Sequence, residues 1–242
     1  MAITTARAAE SRGDQTRESL LVAATTAFAR DGFHAVTTRQ IADLAHVNQA
    51  LIGYHFGGKE GLYAAVVERV ATQIGAHTGP LLGRIESALE QTRAETKPAE
   101  LQDRLLPALL ELTDAVAALL LHDDSVEWMQ LILREQQMPT SALDSLYDGF
   151  MGRIAAAITK VARRLRVDQD ETANRVLAAT IMGQLVVLRS GHAGFMRHVG
   201  WGEIDDARIA RVQQVLRGNV TVLLTPTQAE PEDARPAQAA KG

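Results

Sequence analysis

The sequence predicts an all-α protein: an N-terminal three-helix domain built around a helix-turn-helix, followed by a larger helical domain. Three observations predict it. Residues 37–56 read as two short helices joined by a tight turn, with polar and aromatic side chains on the outer face of the second. Apolar residues at helical spacing continue on both sides of that stretch. Beyond Thr78-Gly79-Pro80 the pattern stays helical, and no strand signal stands out.

Residues 1–13 are expected to form a flexible arm whose Arg7 and Arg12 solubilise the chain rather than enter a minor groove. Leu20, Leu21, Ala24, Ala27 and Phe28 then line one face of a helix that stops at Asp31-Gly32-Phe33. Gly32 suits the position just past a helix end. Thr37 and Thr38 can each set a hydroxyl over the free amides of the next helix, a cap worth about 1 kcal/mol. Ile41, Leu44 and Ala45 give that helix its apolar face, and the small Ala42 and Ala45 suit two helices that cross closely. His46-Val47-Asn48 must then make the turn. His46 stands where a glycine would adopt the left-handed conformation most easily, Val47 plugs the angle, and Asn48 caps the following helix. Leu51, Ile52 and Phe56 face inward, which leaves Gln49, Ala50, Gly53, Tyr54 and His55 outside.

An outer face of that composition suits a duplex. Glutamine pairs bidentately with adenine and alanine meets a thymine methyl, while tyrosine, histidine and the nearby Lys59 reach phosphates. Together with the start of the bracing helix, the candidate DNA contacts are Thr37, Thr38, Arg39, Gln49, Ala50, Gly53, Tyr54, His55 and Lys59.

Past Gly57-Gly58 a further helix opens through Val66, Val67 and Val70. A break follows at Glu95-Thr96-Lys97-Pro98, and Leu101, Leu105, Leu109, Leu112 and Val116 then form an amphipathic stripe in which Pro107 marks a kink or the true start. A shorter helix runs from Val126 to Gln137 and ends at Met138-Pro139. Thr140 and Ser141 cap a helix over 142–165, and others cover 171–190 and 205–224. The last two are strongly apolar, through Val176, Leu177, Ile181, Leu185, Val186 and Leu188, and then Ile209, Val212, Val215, Leu216, Val220 and Leu223. Residues 226–242, rich in Pro, Ala and Glu, read as a disordered tail. The expected divisions are thus 1–13, 14–62, 63–225 and 226–242.

At 242 residues the chain has ample core. It has no cysteine, no signal-like apolar start and no apolar run of membrane-spanning length, so a cytoplasmic setting is expected. The net charge of −4 is unusual for a nucleic-acid binder. Through Arg69, cations and anions balance, so DNA affinity must lean on a few placed cations and on helix N-termini, with a modest salt slope.

The segment 16–70 resembles the TetR family of one-component bacterial repressors. The resemblance rests on an apolar first helix ending in Gly32-Phe33, Thr37-Thr38-Arg39-x-Ile41-Ala42-x-x-Ala45, Tyr54-His55-Phe56, and Gly58-Lys59-Glu60-x-Leu62-Tyr63 arranged in one order. Two positions depart from the family pattern: His46 replaces the usual glycine of the turn, and Gly53 replaces the commoner tyrosine of the recognition helix. Arg134-Glu135-Gln136-Gln137-Met138-Pro139-Thr140, Met182-Gly183-Gln184, Leu188-Arg189-Ser190-Gly191 and Gly200-Trp201 look like the C-terminal domain of CecR-type members. The resemblance implies a homodimer joined by its last two long helices, reading a palindromic DNA operator with two recognition helices roughly 34 Å apart. It also implies a C-terminal domain that binds a small-molecule effector among its central helices. Candidate lining residues are Trp128, Leu131, Ile132, Phe150, Met151, Met182 and Phe195, with Arg134, Gln184, Arg189 and His192 available for a polar group. Arg134 beside Glu135 is expected rather to be a pair of solvated surface charges worth little.

No cofactor or metal is expected. His122-Asp123-Asp124 with Glu127 is the nearest approach to a reactive cluster, but adjacent residues on a helix point apart, and the run suits a solvated helix end. There is no phosphate-binding glycine loop and no nucleophile motif, which argues against an enzyme. The neutral N-terminal domain leaves a helical protein-interaction module as the other alternative.

Overall fold

The computed structural model describes residues 2–93 and 96–226, without the side chains of 2–12 and of Asp124. The expected tail at 227–242, with Met1, Ala94 and Glu95, lies outside the described residues, as do the Arg7 and Arg12 side chains. All regular structure among the described residues is helical.

Helix α1 (Ala2–Ala35), α2 (Thr38–Leu44), α3 (Ala50–Phe56) and the first turns of α4 (Lys59–Glu90) make a small head. Its core is the expected stripe of Leu20, Leu21, Ala24, Ala27 and Phe28 closed by Val36, Ile41, Ala42, Ile52, Leu62 and Val66. Two expectations change here. The backbone is already helical from Ala2, so residues 2–13 continue into α1: the segment holds no proline, and its alanines favour helix. The start of α1 was hidden because the sequence there carries no apolar periodicity. Leu44 is 48% exposed, and Ala42 takes its place in the core.

The body comprises α5 (Pro98–Leu121), α6 (Val126–Gln137), α7 (Leu143–Leu146), α8 (Gly152–Leu165), α9 (Glu171–Ser190), α10 (His192–Val199) and α11 (Asp206–Leu224). Helix α5 starts at Pro98 and continues through Pro107. Helix α4 likewise passes through Thr78-Gly79-Pro80 without ending. An internal proline removes one backbone bond, but Ile74, Leu81, Leu82 and Ile85 are buried on either side, and the Thr78 hydroxyl donates to the Ile74 carbonyl at 3.0 Å. The expected boundary between 62 and 63 therefore falls inside one long helix that both parts share.

The single helix expected over 142–165 contains a π turn at Tyr147–Met151. Leu146, Phe150 and Ile154, four residues apart, are all buried. In a regular α-helix such a series drifts by about 40° per step, and the wider turn offsets that drift. Thr140 caps this segment, accepting from the Ala142 amide at 3.1 Å. Helix α10 was not expected; it is short, closed by Gly191 and Gly200, and buries no residue fully.

Helices α9 and α11 split their apolar residues between two faces. Leu177, Ile181, Leu185, Leu188, Val212, Leu216 and Val220 enter the core. Val176, Val187, Val215 and Val222, the last 73% exposed, remain outside. Gly183 and Gly218 lie among them and are also exposed. Asn219 donates to Gln184 at 3.0 Å and ties the two helices side by side. Among the described residues no single helix is long and apolar enough to cross a membrane.

Candidate nucleic-acid interface

The recognition unit is assembled by local capping. Thr37 accepts from the Gln40 amide at 3.2 Å while the Gln40 side chain accepts from the Thr37 amide at 2.8 Å, a reciprocal box at the start of α2. The turn follows immediately. His46 takes φ 55°, the left-handed conformation expected at this position. Val47 is half-buried in the angle and its amide donates to the Ala42 carbonyl at 3.0 Å. Asn48 accepts from the Ala50 amide at 2.8 Å and caps α3. Behind α3, Gly57 closes the helix in the left-handed region. A Cβ on Gly61 would sit 1.8 Å from the Phe56 carbonyl oxygen, so only glycine lets α4 start this close to the end of α3.

The nominated contacts separate into three groups. Ala50, Gly53 and Tyr54 stand on the open face of α3, Tyr54 at 81% exposure and edge-on to the half-buried His55 at 4.9 Å. Arg39 is also exposed, 4.0 Å from Asp43. Gln49 and Thr38 are coupled, because the Gln49 amide donates to the Thr38 hydroxyl at 2.7 Å. Thr38 therefore does not cap α2; it braces the start of α3. Thr37 spends its hydroxyl on the cap. Lys59 is folded back: its ammonium lies 4.6 Å over the Phe33 ring and 3.5 Å from the His34 carbonyl. Arg17, which the sequence reading passed over, stacks 5.3 Å above Phe56 at the same end of the head.

The effector candidates scatter more widely. An apolar cavity of about 70 Å³ lies between α4, α5, α6, α8 and α9, and Ile132, Phe150, Met151 and Met182 line it. Gln136 is its polar side chain, at an exposed rim. Trp128 and Leu131 instead pack into the core, and Phe195 meets Trp201 edge-on at 5.9 Å. Gln184 is held by Asn219. Arg189 donates to the carbonyls of Leu120 and His122, each at 2.7 Å, and so caps the end of α5. Burial pulls its pKa down, and Asp123 opposes that. His192 borders a separate polar cleft with His122, Asp123 and Asp205. Among the described residues no group of three or more His, Asp or Glu could hold a metal ion.

Arg134 is also elsewhere. It donates to the Ala29 carbonyl at 3.1 Å and to the Arg30 carbonyl at 2.6 Å, at the end of α1. Its neighbour Glu135 is 2% exposed rather than solvated. Glu135 accepts from the Tyr63 hydroxyl and, at 3.1 Å, from the Thr140 amide. Thr140 is near in sequence, but Tyr63, Ala29 and Arg30 are not, so no local signal could have found the joint to the head.

Comparison with known proteins places these features. Residues 20–66 match the model of bacterial regulatory proteins of the tetR family, and 107–225 match the C-terminal domain of the HTH-type transcriptional dual regulator CecR. The chain is 27% identical to that regulator from Shigella flexneri over 214 residues, 88% of this chain and 93% of the relative. It is 39% identical to the HTH-type transcriptional repressor NicS of Pseudomonas putida over 59 residues, 24% of this chain and 28% of the relative. Two solved structures share the fold. One is a TetR-family transcriptional regulator from Mesorhizobium loti, with TM-score 0.55 and 19% identity over 88% of this chain and 96% of that one. The other is AibR in complex with isovaleryl coenzyme A and operator DNA, with TM-score 0.60 and 11% identity over 85% and 98%. The family consists of DNA-binding transcriptional regulators and not of enzymes, which removes both alternatives left open by the sequence. The chain belongs to the TetR family and carries a CecR-type C-terminal domain.

Proposed function

We propose that the protein works as a homodimer in the cytoplasm, represses transcription by holding a palindromic operator, and is switched by a small apolar effector. The observation that carries this reading is the open face of α3, where Tyr54 projects into solvent on a helix braced from behind by Ile52 and capped at both ends. Ala50, Gly53, Tyr54 and the Gln49 amide, once exchanged from Thr38, supply the base-facing and phosphate-facing groups. Arg39 and Lys59 flank them. The exposed valines of α9 and α11 support pairing of two copies, because valines around glycines allow helices to approach closely. The cavity supports the effector site. At about 70 Å³ it is far below the several hundred Å³ of a typical ligand pocket, so occupancy requires α6, α8 or α9 to move. An effector acts only by preferring that opened state.

Selection of bound duplexes from a random-sequence pool, followed by gel shift and a reporter assay on the enriched sequence, tests the reading. The expected result is an enriched palindrome, reporter repression, and an affinity about tenfold lower for Tyr54→Ala. Failure to enrich any sequence, or binding indifferent to Tyr54→Ala, overturns it.

A further inference from the structure

Gly53 sits in the middle of α3, where glycine is the weakest helix former apart from proline. Neither usual structural reason for a glycine applies to it. Positive φ values among the described glycines fall at Gly32, Gly57, Gly58 and Gly200, so Gly53 keeps a backbone that any residue can adopt. A Cβ built on it meets nothing within 4 Å beyond its own helix and chain neighbours, whereas one on Gly61 would collide with the Phe56 carbonyl. The fold would accept alanine at 53 and gain helix stability by it. The missing side chain therefore serves whatever approaches α3 from outside.

The surroundings define the chemistry of that approach. Ala50 lies one turn before Gly53 on the same exposed face. The two polar neighbours are engaged elsewhere: the Gln49 amide donates to Thr38 at 2.7 Å, and the Tyr54 ring stands edge-on to His55. The Gly53 carbonyl accepts from the Gly57 amide at 2.9 Å. What this hollow presents is thus the Ala50 methyl and the bare Gly53 methylene. In the major groove the apolar group on a base edge is the 5-methyl of thymine, and the other bases present donors and acceptors that this surface does not answer.

We propose that Gly53 is a specificity-determining residue: the space left by its absent side chain, walled by the Ala50 methyl, seats the 5-methyl group of one thymine in each half-site. The inference rests on the DNA-binding reading above and deepens it. Cytosine carries a hydrogen in place of that methyl and leaves the hollow unfilled. A side chain at 53 fills it from the protein side and holds α3 off the base edge.

The test uses the full chain and the duplex that it enriches from a random-sequence pool. Each thymine of one half-site is replaced in turn by deoxyuridine, which lacks only the 5-methyl, and binding is read by gel shift. One thymine is expected at which the replacement weakens parent binding by about fourfold, the scale of one buried methyl group. Gly53→Ala is expected to raise the urea midpoint, to weaken binding to the thymine duplex by about tenfold, and to reduce the deoxyuridine effect below about twofold. Ala50→Gly, which removes the wall and leaves the hollow open, should reduce the deoxyuridine effect while costing less affinity than Gly53→Ala. A duplex that is enriched and bound but indifferent to every deoxyuridine overturns the inference and leaves the DNA-binding reading standing. An undiminished deoxyuridine effect in Gly53→Ala overturns it too. So does a lower urea midpoint in Gly53→Ala, because the glycine then serves the fold. A chain that enriches no sequence defeats the underlying reading, and the inference with it.

Discussion

His46 is held at φ 55° in a turn that glycine would adopt freely. Left-handed backbone costs an L-residue about 1 kcal/mol or more, and part of that gain returns as the greater unfolded freedom of glycine. His46→Gly is therefore expected to raise stability by about 0.5 kcal/mol, read as a higher urea midpoint. A lower midpoint means the imidazole contributes more than its backbone strain removes. Tyr63 makes a different prediction. Burial, then the hydrogen bond to Glu135 and its charge, push the phenol well above the ordinary tyrosine range. Below about pH 10 both folded and unfolded chains keep this proton. Above it the unfolded state ionises first, so this contribution to stability is lost as pH rises toward the folded value. The difference in ultraviolet phenolate absorbance between the parent and Tyr63→Phe should show no ionisation until the protein unfolds in alkali. Ionisation of that component in the native protein near pH 10 contradicts the burial.

At the scale of elements, α2 and α3 were legible because every signal that makes them is local. Thr37 reaches Gln40 and Asn48 reaches Ala50, within three residues each. Thr37→Ala should accordingly cost about 1 kcal/mol in thermal unfolding and reduce operator affinity only through the head's stability. A loss of affinity with an unchanged melting curve would instead assign Thr37 to the phosphate. What was not legible depends on contacts made after the helices meet. The π turn answers a burial series that packing against α4 helps to create. Lys59 read as a free cation because nothing in its neighbourhood announces the Phe33 ring beneath it. Arg134 and Glu135 were visible as a motif, yet their partners Ala29 and Tyr63 lie far up the chain. The cavity is intermediate. Its apolar wall could be guessed from Ile132, Phe150 and Met182, whereas the arginines assigned to it cap helix ends instead.

At the scale of the whole molecule, the outer stripe of α9 and α11 predicts assembly. Val187→Glu places a charge among Val176, Val215 and Val222, where a second copy would have to bury it. Sedimentation should then show a folded monomer with parent-like helicity, and binding to the two-half-site duplex should fall while single half-site binding persists. A dimer that survives this change needs another interface. The shared helix α4 has a further mechanical consequence. Its 32 residues span about 48 Å, with Ile74 beside the cavity near mid-length and the first turns inside the head. That is a lever: a tilt of about 5° about Ile74 swings the head end through about 2 Å. Hydrogen bonds to base edges tolerate errors of only about 0.5 Å. Under the proposed reading, a rearrangement the size of a methyl group beside the cavity is then enough to carry a reading helix out of register.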